Sequence, residues 1–440
     1  MNYSALRDET IRHLQALIRL NTSNPPGNES LAVTYLAEVL TAEGIPLTTI
    51  ERRPGRGNLV ARLKGDGSQA PLLLMGHTDV VPAEAQHWTH PPFEGVIADG
   101  NIWGRGALDM KFMVAYELAT FLTIHREGVP LKRDLIFAAT ADEEVAQGNG
   151  IDWLAQEHPD LIRAEYALNE LGAFTMWFGE TPVYGIQVAE KGTVWAQLTA
   201  KGVPGHASVP SHDNPLQTMA TALNRLAAWR APLHLTESTQ SFVTGIANIL
   251  GLPADHLIAL AHDLSLPNPA PDRLPDQERR ELHAILHNTC VPTVIKGGYK
   301  TNVIPSTVTV ELDGRNLPGF TTADYLSELR TALDPRVELE VFLESPPLEV
   351  SHDNDLYRLM KHSLEDLHPG AVVLPMLMTG ATDAKFLAPL GIKVYGFSPI
   401  RFEPDHPGPS LIHSHDERIP VTGVEFGVRA LYEVVRKTVI

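Results

Sequence analysis

The segment LLLMGHTDVV, residues 72–81, restricts what this chain can fold into more than any other stretch. An unbroken apolar run, Leu72 to Met75, passes through Gly76 into His77-Thr78-Asp79. A run without polar alternation reads as a strand covered on both faces, the condition of a parallel sheet. Sheets of that kind place their active sites beyond the C-terminal ends of the strands, where this segment delivers an imidazole and a carboxylate. Side chains two apart on an extended chain share a side, so His77 and Asp79 point the same way. A histidine so placed can take a metal, and a carboxylate beside it can orient the ring. A buried strand that simply ends in a structural His or Asp is the plainer reading.

The flanking sequence supports the parallel sheet. Helical patterns at 4–21 and 29–43, strands NLVARL and 71–76, a helix at 109–127, the strand DLIFAATADEE, a helix near 149–157 and the strand YALNE alternate over the first 185 residues. This is the mark of a doubly wound α/β sheet. The pattern then changes. GTVWAQLTAKG (192–202) alternates like a half-exposed strand, followed by a helix at 213–229, strands near 243–250, 292–298 and 305–313, a helix at 321–333 and the strand VELEVFLE. These predict two β-α-β halves on a mainly antiparallel sheet, an α+β ferredoxin-like domain. A Pro-rich extra segment near 251–290, with a helix near 276–288, is an insertion at its edge. A helix at 353–367, a Gly-rich turn at 379–384, the strand IKVYGF and a helix at 422–437 restore the first style. The chain is too long at 440 residues for one core. The expected organisation is a doubly wound, mixed-sheet catalytic domain of 1–189 plus 347–440, interrupted by a second domain at 190–346.

A net charge of −18 argues against nucleic acid or an anionic membrane surface as partner. Cys290 is the only cysteine, which excludes an intramolecular disulfide framework and any multi-thiolate metal site. No apolar stretch reaches the roughly 18 residues of a membrane span. The first 20 residues read as an amphipathic helix of both charge signs without the pattern of a signal peptide, so the expected compartment is the cytoplasm.

Four further motifs end a strand or open a helix with a metal-capable side chain. WGRGALDMK places Asp109, TADEEVAQG places Glu143 and Glu144, ALNELG places Glu170, and LIHSHDERI supplies His413 and His415. Each has an ordinary alternative: a helix N-cap for Asp109, first-turn acids for the Glu pair, a surface acid, loop histidines. Their recurrence in order with His77 points to one site. Two histidines and three carboxylates, without thiolate, suit zinc or another borderline divalent ion. Two cations held close need a bridging anion, which Asp109 can supply, and a water between them is acidified toward hydroxide. One carboxylate off the metal must then carry protons, and adjacent Glu143 and Glu144 offer one of each kind.

These motifs, in this order and over nearly the whole chain, resemble the co-catalytic di-zinc amidohydrolases and exopeptidases grouped with aminoacylase, acetylornithine deacetylase, succinyl-diaminopimelate desuccinylase and glutamate carboxypeptidase. The resemblance implies two zinc ions per chain, replaceable by cobalt or manganese. It implies His77, Asp109 as bridge, Glu144, Glu170 and His413 as ligands, Glu143 as general base and acid, and Asp79 as support for His77. The family's last ligand stands four residues before a Glu, which Glu417 places at His413 rather than His415. The inserted domain is then a lid and homodimerisation domain. His206, in KGVPGHASVP, reaches the partner's site to stabilise an oxyanion. Asn302, in TNVIPS, and Arg315, in ELDGRNLPG, hold the substrate's carboxylate or carbonyl, a guanidinium fork suiting a carboxylate. Gly380 and Asp383, in MTGATDAKF, match a pocket-lining turn.

The implied reaction is hydrolysis of an amide next to a free carboxylate, in a small N-acyl-amino acid or peptide. By resemblance, Glu at 170 goes with acylases, deacylases and carboxypeptidases, and Asp with aminopeptidases and dipeptidases. The insertion and the HDERI ending resemble aminoacylase and carboxypeptidase S. The alternatives are a dipeptidase or tripeptidase of the same fold, and a non-catalytic metal-binding relative, against which the intact Glu143 argues.

Overall fold

In the computed structural model, which describes residues 1–145 and 150–440, the chain forms two compact units. The first comprises Met1–Val188, Val350–Met376 and Thr382–Ile440, the second Ala189–Glu349 and Leu377–Ala381.

The first unit is built on a mixed sheet. Its strands follow the order Leu47–Glu51, Gly57–Leu63, Leu135–Thr140, Leu72–His77, Tyr166–Asn169, Lys393–Gly396, Thr181–Glu190, and the last also pairs with Thr175–Phe178 and Val372–Met378. Leu135–Thr140, Leu72–His77, Tyr166–Asn169 and Lys393–Gly396 run parallel, and their neighbours run antiparallel to them. Registers of His77 to Thr140 and Leu74 to Leu168 bring the C-terminal ends of three strands to one edge. Every residue of Leu72–His77 and Leu135–Thr140 is buried, which is why neither strand alternates polar with apolar. The helix Lys111–Glu127 packs on both strands and against Tyr3–Arg19 and Val421–Val439. It is buried all round from Lys111 to Ile124, as a helix sandwiched between layers must be. Gly76 permits this closeness, because a Cβ there would lie 2.9 Å from Met110 Cε and Val114 Cγ2.

The second unit carries an antiparallel sheet in the order Thr289–Gly297, Thr307–Asn316, Gly192–Lys201, Val337–Ser345. Helices Pro215–Ala228 and Thr322–Arg330 cover one face, where Val194, Leu198, Val310 and Leu312 meet Met219, Tyr325 and Leu329. The other face carries the partly exposed Trp195, Gln197, Glu311, Asp313 and Arg315. The β-α-β-β-α-β order is ferredoxin-like.

The strand expected near 243–250 is a helix, Glu237–Leu250. VTGIANIL has strand-like composition, but Phe242, Val243, Ile246, Ala247 and Leu250 bury one helical face. A capping box at Thr236 starts the helix and Gly251, at φ 69°, ends it. Helices Ala254–His262 and Asp276–Ile285 follow, so the insertion falls between the first helix and second strand of the ferredoxin-like unit. The helix expected from 149 is seen as Gly150–Glu157, and residue 149 lies outside the described residues. Among the described residues no single helix is long and apolar enough to cross a membrane.

Leu74 is fully buried in the central strand, whereas Leu235 is 43 % exposed. We expect Leu74→Ala to cost about 2–5 kcal/mol in urea unfolding and Leu235→Ala to stay within about 0.5 kcal/mol of wild type. Equal losses would contradict this placement of the core.

Candidate metal centre

The strand ends deliver the site. His77 closes Leu72–His77, Asp142-Glu143-Glu144 follow Leu135–Thr140, and Glu170 follows Tyr166–Asn169. Asp109 precedes the long helix without capping it, since the cap position is Met110 and no side chain caps there. His413 arrives from the loop before Arg418–Pro420, with φ 60°. The Nε2 of His77 lies 3.2 Å from Asp109 Oδ1 and 3.5 Å from Glu170 Oε2. The Nε2 of His413 lies 3.0 Å from Asp109 Oδ2 and 3.3 Å from Glu144 Oε1. Asp109 therefore shows one oxygen to each histidine. Glu143 Oε2 stands 4.0 Å from His77 Nε2, beside the pair but beyond hydrogen-bond reach. His415 is turned elsewhere, its ring 5.1 Å from that of His87.

Two buried carboxylates hold this arrangement by accepting backbone N–H groups. Asp79 accepts from Glu143 N at 3.2 Å and Glu144 N at 3.1 Å, and from Asn24 Nδ2 at 2.8 Å. Its carbonyl accepts from His77 Nδ1 at 3.0 Å, which turns Nε2 toward Asp109 and Glu170 as the ring nitrogen a metal would take. Glu417 is fully buried and accepts from Leu108 N at 2.6 Å, Asp109 N at 3.1 Å and Gly106 N at 3.1 Å, while Arg105 Nη1 pairs with it at 2.5 Å. In the sequence Glu417 served only as a spacing mark; here it shapes the loop that presents Asp109. Asn24, Arg105 and Glu417 carried no sequence signal of these roles, because each acts through a partner distant in the chain.

The electrostatics call for cations. Burial pushes the His77 imidazole down, but its bonds to Asp109, Asp79 and Glu170 outweigh this and hold its pKa well above the ordinary value. Asp109 and Glu144 push His413 up to about 10. Burial, and then the Glu170 charge, raise Glu143 well above the usual carboxylate range, and burial takes Glu170 up to about 7. Among the described residues no Lys or Arg pairs with Asp109, Glu143, Glu144 or Glu170. The cluster thus binds protons where a cation would serve better. The donors of His77, Asp109 and Glu144 lie within 4.8 Å of one another, as do those of His77, Glu143 and Glu170. A nitrogen and oxygen donor set of this kind, with an oxygen of Asp109 on either side, fits a pair of divalent ions.

His206, Asn302, Arg315 and Gly380 belong to the second unit. His206 is exposed on Gly205–His206, which pairs with Val303–Ile304, and its Nδ1 contacts Ser208 Oγ at 2.7 Å. The carbonyl of Asn302 accepts from Ala207 N at 3.0 Å, so the two sit side by side. Arg315 is forked by Asp313, with Nε 2.6 Å from Oδ1 and Nη2 3.1 Å from Oδ2, and its Nη1 donates to Thr193 Oγ1 at 3.1 Å. Asp383, in the first unit, is buried near Glu143 and Glu170 and adds to the charge that raises both.

A doubly wound sheet whose strand ends gather these carboxylates and imidazoles defines the class of a metal-binding α/β protein with its site at the strand ends. Residues 73–437 match Peptidase family M20/M25/M40, and the chain belongs to that family. It is 30% identical over 385 residues to the N-fatty-acyl-amino acid synthase/hydrolase PM20D1 of Homo sapiens, covering 84% of this chain and 74% of that one. It is 26% identical over 420 residues to aminoacylase-1 of Sus scrofa, covering 91% and 88%. Its fold is similar to that of an M20 family metallo-carboxypeptidase from Sulfolobus solfataricus, with TM-score 0.70, 17% identity and coverage of 98% and 99%. A Bacillus subtilis protein described as a dinuclear metal binding peptidase of the M20 family matches with TM-score 0.58, 14% identity and 99% coverage of both chains.

His413 at about 10 and the raised His77 are protonated at pH 7 in the metal-free protein, whereas metal ligation requires the neutral ring. Zinc titration at pH 7 should therefore release protons, with the affinity falling as the pH falls. Calorimetry in buffers of different ionisation heat reads the number released. A zero count would contradict ligation by these histidines.

Proposed function

We propose that the protein hydrolyses N-acyl-amino acids at the amide next to their free carboxylate, using two zinc ions held by His77, Asp109, Glu144, Glu170 and His413. The observation that carries this reading is the division of labour among the carboxylates. Asp109 faces both histidines at 3.2 and 3.0 Å, Glu144 faces His413 at 3.3 Å, and Glu143 stands apart at 4.0 Å. We read Glu143, the one of these carboxylates that hydrogen-bonds neither imidazole, as the group that moves protons, although its donor lies with those of His77 and Glu170. Bound divalent ions supply Lewis acidity at this position. Glu143 takes a proton from the attacking water and returns it to the leaving nitrogen. Asp79 holds the Glu143–Glu144 turn and the tautomer of His77. Arg315 and Asn302 hold the substrate's carboxylate and carbonyl, with Gly380 lining the pocket.

The similarity to the N-fatty-acyl-amino acid synthase/hydrolase PM20D1 and to aminoacylase-1 supports the N-acyl-amino acid class. The half-buried Cys290, its thiol pushed up to about 11 by burial, suits a reducing cytoplasm. We assign residues 190–346 the part of lid and homodimerisation domain. Val203, Val209 and Tyr299 support this, being 65, 70 and 83% exposed around the loops of His206 and Asn302, as a surface awaiting a partner would be.

The deciding assay is amide hydrolysis on N-acetyl- and longer N-acyl-amino acids and on dipeptides, before and after chelation and zinc restoration. Zinc-dependent release from the N-acyl set is expected, with Glu143→Gln lowering kcat about 10²–10⁴-fold. Release from dipeptides alone would make the protein a dipeptidase, and an active Glu143→Gln would remove the base. The trans role of His206 has its own check. His206→Ala and Glu143→Gln proteins, each of low activity, should regain turnover when mixed, because one site of the mixed dimer keeps both groups. No recovery in dimers shown to have exchanged would sink it.

A further inference from the structure

Beneath the Glu143–Glu144 turn lies a buried polar group that the reaction itself does not use. Arg56 stands just before the strand Gly57–Leu63 with its side chain 9% exposed. Its Nη1 donates to Pro26 O at 2.6 Å, and its Nη2 reaches Asp142 Oδ1 and, at 3.1 Å, Glu29 Oε1. Among the described residues Arg56 is the only Lys or Arg paired with either carboxylate. Its place is prepared by Gly27, at φ 76°, where a Cβ would fall 0.9 Å from Arg56 Nη1. Only glycine leaves room for the guanidinium there.

This group is continuous with the site. Asn24 Nδ2 donates to Asp142 Oδ1 at 3.3 Å and to Asp79 Oδ2 at 2.8 Å, and Asp79 accepts the N–H groups of Glu143 and Glu144. Asp142 itself adopts φ 68°, a sparsely populated conformation for a residue with a side chain. It persists only where the surroundings over-determine it, and Arg56 and Asn24 bind the same carboxylate oxygen. A neutral donor would make the hydrogen bond but would not offset the charge of Asp142 beside a cluster already crowded with carboxylates, nor favour the ionised form of Glu29, which burial pushes up to about 7.

We propose that Arg56 is a positioning residue for the metal centre. Through Asp142 it holds the left-handed bend that aims Glu144 at His413 and leaves Glu143 beside His77. The proposal rests on the preceding reading of that cluster as a metal site.

The test compares Arg56→Gln, Gly27→Ala (which displaces the guanidinium without altering it) and Val435→Ala, a control buried in the C-terminal helix Val421–Val439. Zinc affinity is read by competition with a chelating indicator, at a temperature where circular dichroism shows each variant folded, and kcat and KM are measured separately. Arg56→Gln should weaken zinc binding and lower kcat, each about 10–100-fold, the range for partners that orient metal ligands, with KM within about threefold. Gly27→Ala should shift both in the same direction, and Val435→Ala should lose stability but keep its zinc affinity. Zinc affinity and kcat of Arg56→Gln within twofold of wild type would overturn the proposal. Glu144→Ala separates the two readings: if it binds zinc as wild type does, the metal site itself is misassigned, whatever Arg56 does.

Discussion

Like charges brought within 4 Å of one another in a protein repel by about 4 kcal/mol per pair even at an effective dielectric near 20. This chain places Asp109, Glu143, Glu144 and Glu170 around two imidazoles, with Asp79 and Asp383 buried close by. The surrounding structure answers that repulsion. His77 and His413 are held protonated in the absence of metal, and Glu143 and Glu170 are pushed toward neutrality. Asp79 and Glu417 are kept in place by backbone N–H groups, which offset charge without adding a side chain. A bound divalent ion would replace those protons with charge of higher density.

The parallel sheet makes such crowding possible. Strands side by side carry their C-terminal residues to one edge, so His77, Glu143, Glu144 and Glu170 converge although nearly a hundred positions separate the first from the last. The placing of Asp109 depends on Glu417, which gathers the N–H groups of the loop before the long helix. Glu417 thereby decides where Asp109, which faces both imidazoles, stands. In the second unit Asp313 does for Arg315 what Asp79 does for His77: it occupies one side of the group and leaves each terminal nitrogen an N–H to offer.

Much of this was legible in the chain. The apolar run Leu72 to Met75, the buried strand Leu135–Thr140 and the alternation of Gly192–Lys201 each display their burial as a pattern, because a strand's surroundings repeat every residue or every second one. His77, Glu143, Glu144 and Glu170 stood out because they fall at strand ends, and Asp109 because it opens the long helix after a Gly-rich turn. The failure at 243–250 has a physical cause. VTGIANIL is apolar enough for a strand, and only its contacts reveal that the buried positions recur with helical spacing. The edge strand Val372–Met378, VVLPMLM, carried no clear signal because it is apolar throughout, without alternation, and is interrupted by Pro375.

By itself the sequence determined the layering of the two sheets and the kinds of atom available to a metal, since both follow from residue type and local period. The tertiary structure decided which of those atoms meet. His413 and not His415 faces Asp109, Glu144 and not Glu143 faces His413, and Arg56, Asn24 and Glu417 become supports. The spacing to Glu417 already singled out His413, but the supporting roles rest on contacts between segments far apart in the chain, which no local pattern encodes.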